Sequence, residues 1–333
     1  MKEYSGLTVE EIRRDVLPDK RPAILRGLVC DWPAVAAYRD SPETLVQYLK
    51  KHDSGAPVDA LMTEPEVAGR IFYNDAISGF NFYRNRLPLS QIAAQVLRYA
   101  QFSTPPAVAA QSALIRDCLP SFGSENRLAL FDEGILPRIW LGNRITTPIH
   151  VDEWNNVGCV IAGRRRFTLF PPEQIANLYV GPLDFAPTGA AMSMVSLSDP
   201  DLQRYPKFGE ALRSAQTAEL QPGDGIFIPP LWWHHVESLE PLNVLVNYWW
   251  HDPRGDAAGA DSAFDALLHA ILSIRALPPE TRRAWGAFFA HYVFGAKSES
   301  IDHIPSERRG ILGELPPQQV SALRAHLNKK LGS

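Results

Sequence analysis

The sequence is poor in cysteine and contains no long apolar run. Its three cysteines, Cys30, Cys118 and Cys159, are widely spaced and form no Cys-x-x-Cys pair. A disulfide framework is therefore not expected, and a reducing, cytoplasmic location is favoured. The N-terminal residues lack the apolar stretch of a signal peptide. Since no segment approaches the roughly 18 apolar residues of a membrane span, no membrane partner is expected either.

The sequence also lacks an excess of basic residues. It has 33 Lys and Arg against 37 Asp and Glu, a net charge of −4 and a pI of about 6.2. Because nucleic-acid surfaces are strongly basic, no nucleic-acid partner is expected. Hydrophobic residues make up 45% of the chain and charged residues 21%. This composition is typical of a globular protein with one large core and appended helices, or with two domains.

Three zones follow from the sequence pattern. Residues 1–115 mix helix-like and strand-like segments, which we expect to be α/β elements packing on the next zone. Residues 116–252 contain short apolar or alternating runs separated by Gly, Pro and Asp, a pattern typical of a β-sandwich or barrel. Residues 253–333 show helical spacing. Their apolar faces can pack on the core, on one another or on a second subunit, so a homodimer through these helices is one prediction.

The central zone gives the clearest strand predictions. The predicted strands are Arg138–Gly142, Asn156–Ile161, Arg166–Phe170, Gly225–Pro229 and Val244–Trp250. Between two groups of strands, residues 175–215 are polar and contain Pro and Ser. We interpret this stretch as an inserted connection and not as a domain.

Two short segments carry the residues of a candidate metal site. His150 and Asp152 alternate with Val151, so in an extended segment they share one face. His234 lies in a second apolar, aromatic segment far downstream. Two imidazoles and one carboxylate on one side of a metal leave the opposite side open, which is the facial arrangement of non-haem Fe(II) oxygenases.

The residues alone leave alternatives open. A His-x-Asp pattern arises by chance in many sequences, and Asp152 is also compatible with a turn. In the second segment His234 and His235 point to opposite sides, so only one can be a ligand. We choose His234, and His235 then becomes a packed neighbour that supports the site.

Several motifs in a fixed order resemble the JmjC/cupin-8 group of Fe(II)- and 2-oxoglutarate-dependent oxygenases. Within this group, the motifs are similar to those of the asparaginyl hydroxylase that inhibits hypoxia-inducible factor. The resemblance covers most of the chain before the last 80 or so residues. The matching segments are Gly142-Asn143, Thr147–Glu153, Gly163–Pro172, Asn177–Tyr179, Pro222–Asp224, Ile228-Pro229, Trp232–Ser238 and Asn247–Trp249, with an N-terminal match at Arg21–Trp32.

This resemblance implies a mainly β fold with flanking helices, built around a double-stranded β-helix, the cupin or jelly-roll barrel. It implies that His150, Asp152 and His234 bind Fe(II) and act as the catalytic residues. It also implies 2-oxoglutarate as the co-substrate. Thr147 and Arg165 fall at the positions that bind its distal carboxylate. Asn156 and Asn247 lie near the cofactor, where their amides either bind carboxylate or water, or satisfy buried backbone groups.

Two positions depart from the family pattern. The family usually has Lys where this chain has Arg165, which keeps the charge but carries a longer, planar donor group. Its neighbours Arg164 and Arg166 belong to the opposite strand face, where a surface position is expected. Some relatives have a co-substrate-binding Tyr near Val108–Gln111, and here the matching position is Ala.

The expected activity is hydroxylation of a C–H bond, coupled to the conversion of 2-oxoglutarate to succinate and CO2. A protein or peptide substrate is the first hypothesis, and a small metabolite is the alternative. Glu153, Trp154 and Trp249 are candidates for the substrate entrance, although rim packing explains them equally well. Two rivals are a metal-dependent cupin that does not use 2-oxoglutarate and a non-catalytic scaffold.

Overall fold

Two compact units divide the chain, Met1–Trp250 and His251–Ser333. The computed structural model describes residues 1–187, 189–252, 263–295 and 302–331. Within those ranges, no helix combines the length and apolar character needed to cross a bilayer.

The first unit is built from two β-sheets. Its strands are β1 (Lys2–Ser5), β2 (Ala23–Arg26), β3 (Pro57–Thr63), β4 (Phe82–Pro88), β5 (Ala107–Leu114), β6 (Arg138–Gly142), β7 (Thr146–His150), β8 (Asn155–Ala162), β9 (Arg165–Phe170), β10 (Gln216–Leu220), β11 (Gly225–Ile228), β12 (Trp233–Ser238) and β13 (Asn243–Trp250). The larger sheet has nine strands in the order β1-β2-β11-β8-β13-β6-β5-β3-β4. The smaller has four, in the order β10-β9-β12-β7.

Helices flank the sheets and form the second unit. The first unit contains α1 (Val9–Glu11), α2 (Pro33–Asp40), α3 (Pro42–His52), α4 (Leu89–Tyr99), α5 (Ile115–Cys118), α6 (Phe122–Glu125) and α7 (Phe208–Ser214). The second contains α8 (Ala263–Ile274), α9 (Pro279–Phe289) and α10 (Pro317–Leu331). Side chains fix several helix starts: Thr8 forms a capping box with Glu11, and the Ser41 hydroxyl accepts from the Thr44 amide at 3.0 Å.

The N-terminal elements join the larger sheet through backbone pairing. β5 pairs with β6, so β3, β4 and β5 extend one edge of the sheet. At the other end β2 pairs with β11, and β1 lies outside it. The helix α4 presents an apolar stripe, spaced three or four residues apart, that is fully buried: Leu89, Ile92, Ala93 and Val96. The first 115 residues therefore complete the sheet that carries half of the site.

Apolar side chains from both sheets meet between them. This inner cluster consists of Ile24, Val160, Phe167, Leu169, Ala218, Leu220, Ile226, Ile228, Val236 and Leu245. The connection over residues 175–215 contributes Leu178, Val195 and Phe208 to a second cluster, which covers Phe170 and Trp233 of the smaller sheet. Apolar clusters thus cover part of both faces of the smaller sheet, and its inner face opens into the candidate site.

Candidate metal centre

A cavity of about 110 Å³ lies between the two sheets. A buried water needs only about 10–15 Å³ in the same measure, so the cavity has room for a ligand of several atoms. Its lining includes Gln111, Trp140, Thr147, His150, Asp152, Asn156, Gly158, Arg165, Phe167, Ala190, Ile226, Ile228, His234, Val236, Leu245, Asn247 and Trp249. Most of these residues are every second residue of their strand, because successive side chains of a strand point to opposite faces of the sheet.

The three predicted metal ligands lie together at this cavity. His150 and His234 are register partners across β7 and β12, and their ring centroids are 4.0 Å apart. Asp152 follows β7, and its Oδ2 is 3.6 Å from Nε2 of His234. One nitrogen from each imidazole and one carboxylate oxygen lie within 4.8 Å of one another. The side chains that sequence alternation placed on one face therefore do converge.

Backbone carbonyls fix the orientation of both imidazoles. Nδ1–H of His150 donates to the Pro148 carbonyl at 2.8 Å, and Nδ1–H of His234 donates to the Trp232 carbonyl at 3.0 Å. Each ring then keeps its Nε2 lone pair for a ligand. Burial, together with the neighbouring His150, lowers the pKa of His234 to about 4, so its imidazole is neutral at pH 7. Neutral imidazoles and a carboxylate suit a divalent transition metal.

Thr147 reaches the same cavity because β7 contains a β-bulge. Val236 pairs with Thr147 and His234 pairs with His150, so three steps along β7 match two along β12. The extra residue turns Thr147 and His150 to the same side despite their odd spacing. The hydroxyl predicted from the family pattern therefore lies on the cavity wall.

Arg165 is a buried cation at the wall of the cavity. Its side chain lines the cavity and the residue is only 8% exposed, and within the described part of the chain its Nε makes no hydrogen bond. Burial lowers the pKa of Arg165 to about 10, so the group remains charged at neutral pH. Among the described residues, no carboxylate forms an ion pair with it. A buried cation of this kind is costly unless an anion enters from outside.

The neighbouring arginines lie on the other face of β9. Arg166 forms ion pairs with Glu219 and Glu237, and Arg164 with Glu219 and Glu240. Their side chains are 40% and 49% exposed. This separation follows from strand alternation, which directs Arg165 into the cavity and its two neighbours away from it.

The predicted asparagines are hydrogen-bonded to each other. Nδ2 of Asn247 donates to Oδ1 of Asn156 at 3.2 Å, and Nε1–H of Trp140 donates to Oδ1 of Asn247 at 2.9 Å. The sequence patterns did not identify Trp140, because its role depends on the register between β6 and β13.

Gln111 is a second cavity residue that the sequence patterns missed. β5 contains a bulge between Ala110 and Ala113, where three steps match two along β6. Ser112 adopts a left-handed φ of 48° there, and Arg138 donates to its carbonyl at 2.9 Å. The bulge turns Gln111 toward the cavity, close in sequence to the alanines at which the family pattern led us to look for a Tyr.

The remaining predicted residues occupy different positions. His235 is buried on the opposite face of β12, with its Nδ1 3.9 Å from Glu237. Trp249 lines the cavity and packs edge-on against Trp140, with ring centroids 6.0 Å apart. Trp154 is 43% exposed. Neither Trp154 nor Glu153 is among the described residues that line the cavity.

Comparison with known proteins identifies the class. Residues 9–256 match the family described as the cupin-like domain, so this chain belongs to that family. The predicted family membership is therefore confirmed. The predicted cupin or jelly-roll barrel with flanking helices is also confirmed, since the two sheets have the architecture of this family.

Curated relatives share different parts of the chain. Human HSPB1-associated protein 1 is 35% identical over 149 residues, which cover 44% of this chain and 30% of that protein. Lysine-specific demethylase 8 of Danio rerio is 26% identical over 245 residues, 73% of this chain and 56% of that protein. tRNA wybutosine-synthesizing protein 5 of Danio rerio is 32% identical over 156 residues, 42% of this chain and 45% of that protein. The chain thus spans about a third of the length of the HSPB1-associated proteins.

Proposed function

We propose that this protein is an Fe(II)- and 2-oxoglutarate-dependent oxygenase that hydroxylates a protein side chain. One observation carries the proposal: buried Arg165, which has no anionic partner among the described residues, lies in the same cavity as the His150, Asp152 and His234 cluster. A metal site explains the cluster, and an organic anion explains the cation. 2-Oxoglutarate satisfies both, because it carries a keto acid at one end and a carboxylate at the other.

The donor set and the cavity suit an open iron site. His150, Asp152 and His234 would hold the metal, which supplies O2 activation coupled to oxidation of the keto acid. Arg165 would bind the far carboxylate, with Thr147 as an additional hydroxyl donor. The lining also includes aliphatic side chains such as Ile226, Ile228 and Leu245, which would exclude water and so strengthen an ion pair between Arg165 and the ligand.

The first expectation for the substrate is a protein or peptide. Two relatives support it by name, one as an HSPB1-associated protein and the other as a lysine-specific demethylase. A free amino acid or another metabolite is the alternative, and a cytoplasmic location remains an expectation from the cysteine content. Glu153, Trp154 and Trp249 are the proposed substrate residues at the entrance.

Succinate production tests the reaction class. Iron-loaded protein is incubated with 2-oxoglutarate and O2 and screened with peptide, metabolite and tRNA pools. We expect succinate to rise above the uncoupled level with a peptide pool. Arg165→Gln should abolish the signal, whereas Arg166→Gln on the outer face should preserve it. Iron-dependent oxidation without any need for 2-oxoglutarate would support a different metal-dependent cupin instead.

Metal analysis tests the scaffold alternative. We expect one iron per chain in the wild-type protein and none in His150→Ala, with unchanged circular dichroism. A wild-type protein that binds no iron under anaerobic loading would favour a non-catalytic role.

A homodimer through the C-terminal helices is part of the proposal. Within the described second unit, α8 exposes Leu272 at 81% and α9 exposes Phe288 at 56%, with Tyr292 at 50% just after it. Light scattering after size exclusion should give twice the chain mass of 37.1 kDa. Leu272→Glu combined with Phe288→Glu should give the monomer, and a wild-type monomer would contradict the prediction.

A further inference from the structure

The nine-stranded sheet ends on one side at the edge strand β4. This strand is last in the sheet order, and among the described strands it pairs only with β3. Its seven residues keep one continuous register with β3, from Phe82 opposite Thr63 to Pro88 opposite Pro57. Residues 83–86 are exposed. Proteins usually protect such an edge with a short strand, a bulge, a cover or a charge, and of these β4 has only charge within the described part of the chain.

One backbone amide shows which groups of β4 face away from β3. The Arg86 N–H donates to Oδ1 of Asn85 at 2.8 Å, so it points away from the ladder with β3. Backbone groups alternate in direction along a strand, so those of Arg84 also point outward. Among the described residues, no backbone hydrogen bond outside the pairing with β3 involves residues 83–87. The outer side of β4 therefore offers backbone donors and acceptors to a further strand, which would displace the Asn85 side chain.

The side chains of this edge differ between the two faces of the sheet. Arg84 and Arg86 alternate with Tyr83 and Asn85, so the two guanidinium groups share one face. Arg84 donates to the carbonyl of Pro187 at 2.8 Å, a neutral acceptor that leaves the charge in place. On the opposite face Tyr83 is 62% exposed. A strand that adds to this edge therefore meets cations on one face and an aromatic ring on the other.

The two arginines decide which partner suits the edge. Arg86 forms an ion pair with Asp59 at 3.5 Å, but the side chains are 68% and 63% exposed, so the pair contributes little. If two copies of β4 paired antiparallel about residues 84–86, arginines would lie directly opposite arginines, which is destabilising. Carboxylates on a different strand are favoured for the same reason. The other edge strand, β1, has only four residues and carries both Lys2 and Glu3, so it shows no such preference.

We propose that β4 binds an extended segment of a partner protein in which acidic and apolar residues alternate, and that this segment adds to the sheet as a further strand. Its carboxylates lie beside Arg84 and Arg86, and its apolar side chains pack beside Tyr83. Backbone hydrogen bonds supply affinity in this mode of recognition, and the alternating side chains supply specificity. The inference involves no residue of the metal cavity, so it is independent of the proposed function.

Fluorescence anisotropy with a labelled peptide tests the choice of partner. The probe is a peptide that alternates Glu and Val, titrated with the full-length protein at low salt, and the matched control peptide has Lys in place of Glu. We expect saturable binding of the Glu peptide alone. Arg84→Glu combined with Arg86→Glu should weaken it at least about tenfold, because like charges then face each other. Arg116→Glu, an exposed arginine on α5, should bind normally. Absence of binding, or equal binding of both peptides, would overturn the proposal.

A proline substitution separates strand addition from simple charge attraction. Arg86→Pro removes the outward N–H, whereas Arg86→Ala removes the same charge and keeps the N–H. We expect Arg86→Pro to bind the Glu peptide about 3–10-fold more weakly than Arg86→Ala, as for one lost hydrogen bond. Equal affinities of these two variants would overturn strand addition.

Two further measurements keep the test decisive. Asn85→Ala frees the Arg86 N–H and should bind the Glu peptide more tightly than the wild type, so unchanged affinity would overturn the proposal even if Arg86→Pro failed to fold. Light scattering tests a second copy as the occupant. A dimer that persists in Leu272→Glu combined with Phe288→Glu, but dissociates when Arg86→Pro is added, would assign the edge to self-association and would also overturn the proposal.

Discussion

Thr147 and His150 face the same cavity although they are three positions apart in one strand. The bulge in β7 shifts the register against β12 by one residue and brings the Thr147 hydroxyl to the side of the metal cluster. With regular alternation Thr147 would point away from the cavity. Because of the bulge it points into the cavity, where its hydroxyl can contribute to the proposed anion site.

Removal of this hydroxyl should weaken co-substrate binding without affecting the metal. We expect Thr147→Val to raise the Kd for 2-oxoglutarate about tenfold, since one hydrogen bond to a carboxylate is lost. Calorimetry with iron-loaded protein measures the change. Thr146→Val, at the neighbouring position outside the cavity lining, is the control. Equal losses in both variants would point to damage to the strand and not to a lost contact.

Arg165 should reduce stability in the absence of ligand. We expect Arg165→Met to increase the free energy of unfolding of the metal-free protein by about 1–3 kcal/mol, because a buried cation without a partner is removed. The melting temperature should rise by a few degrees in a thermal scan. The same variant should lose 2-oxoglutarate binding, and Arg165→Lys should retain part of it.

The opposite stability result would contradict the account of Arg165. If Arg165→Met lowered the melting temperature, the guanidinium would have to make a stabilising contact within the protein. Arg166→Gln removes only exposed ion pairs with Glu219 and Glu237, so it should change the free energy of unfolding by about 1 kcal/mol or less.

Acid should destabilise the metal-free protein through its buried histidines. Burial lowers the pKa of His234 and of His235 from 6.5 to about 4 in each case. Between those values the unfolded chain binds protons that the folded protein excludes, so the free energy of unfolding decreases as the pH falls. Urea unfolding in a chelator between pH 7 and pH 4.5 measures the slope.

Substitution of His235 separates this effect from metal binding. We expect His235→Gln to reduce the slope of the free energy of unfolding against pH by the equivalent of about one proton taken up on unfolding. Iron stoichiometry should stay unchanged, because His235 lies on the face of β12 opposite the cluster. An unchanged slope in this variant would mean that His235 binds protons equally in the folded and unfolded protein, so that folding does not lower its pKa.

Asp224 should be a structural residue despite its place in a family motif. Its carboxylate accepts from Arg26 Nη1 at 2.7 Å and from the amides of Gly27 and Gln221 at 3.0 Å. We expect Asp224→Asn to lower the free energy of unfolding by about 2–4 kcal/mol, because the pair with Arg26 is broken. Urea unfolding measures it, and a parallel loss of iron from folded protein would argue for a role at the site.

The sequence pattern predicted those features that alternate regularly. The strand Arg138–Gly142 has the predicted bounds, and the predicted strand Gly225–Pro229 ends one residue earlier, at Ile228. Alternation also assigned His234 and His235 to opposite faces, as the structure has them. Such features depend only on the alternation of side chains between the two faces of a strand, and a single sequence shows this alternation directly.

Bulges and pairing between distant strands were not predictable in the same way. Gln111 turns into the cavity because β5 holds an extra residue against β6, and no residue type marks that position. Trp140 meets Asn247 because β6 and β13 are neighbours in a given register. The connection over residues 175–215 also packs on β7, where the Ser193 amide donates to the Ile149 carbonyl at 2.7 Å, and its Ala190 lines the cavity. These contacts arise only when the chain is folded.

The most direct test is a titration of 2-oxoglutarate with and without Fe(II), in wild-type protein and in Asp152→Ala. We predict tight binding by the wild type only when iron is present, and neither iron nor 2-oxoglutarate binding by a folded Asp152→Ala. Binding of 2-oxoglutarate that is independent of iron, or succinate formation that survives Asp152→Ala, would contradict a shared site for the metal and the anion.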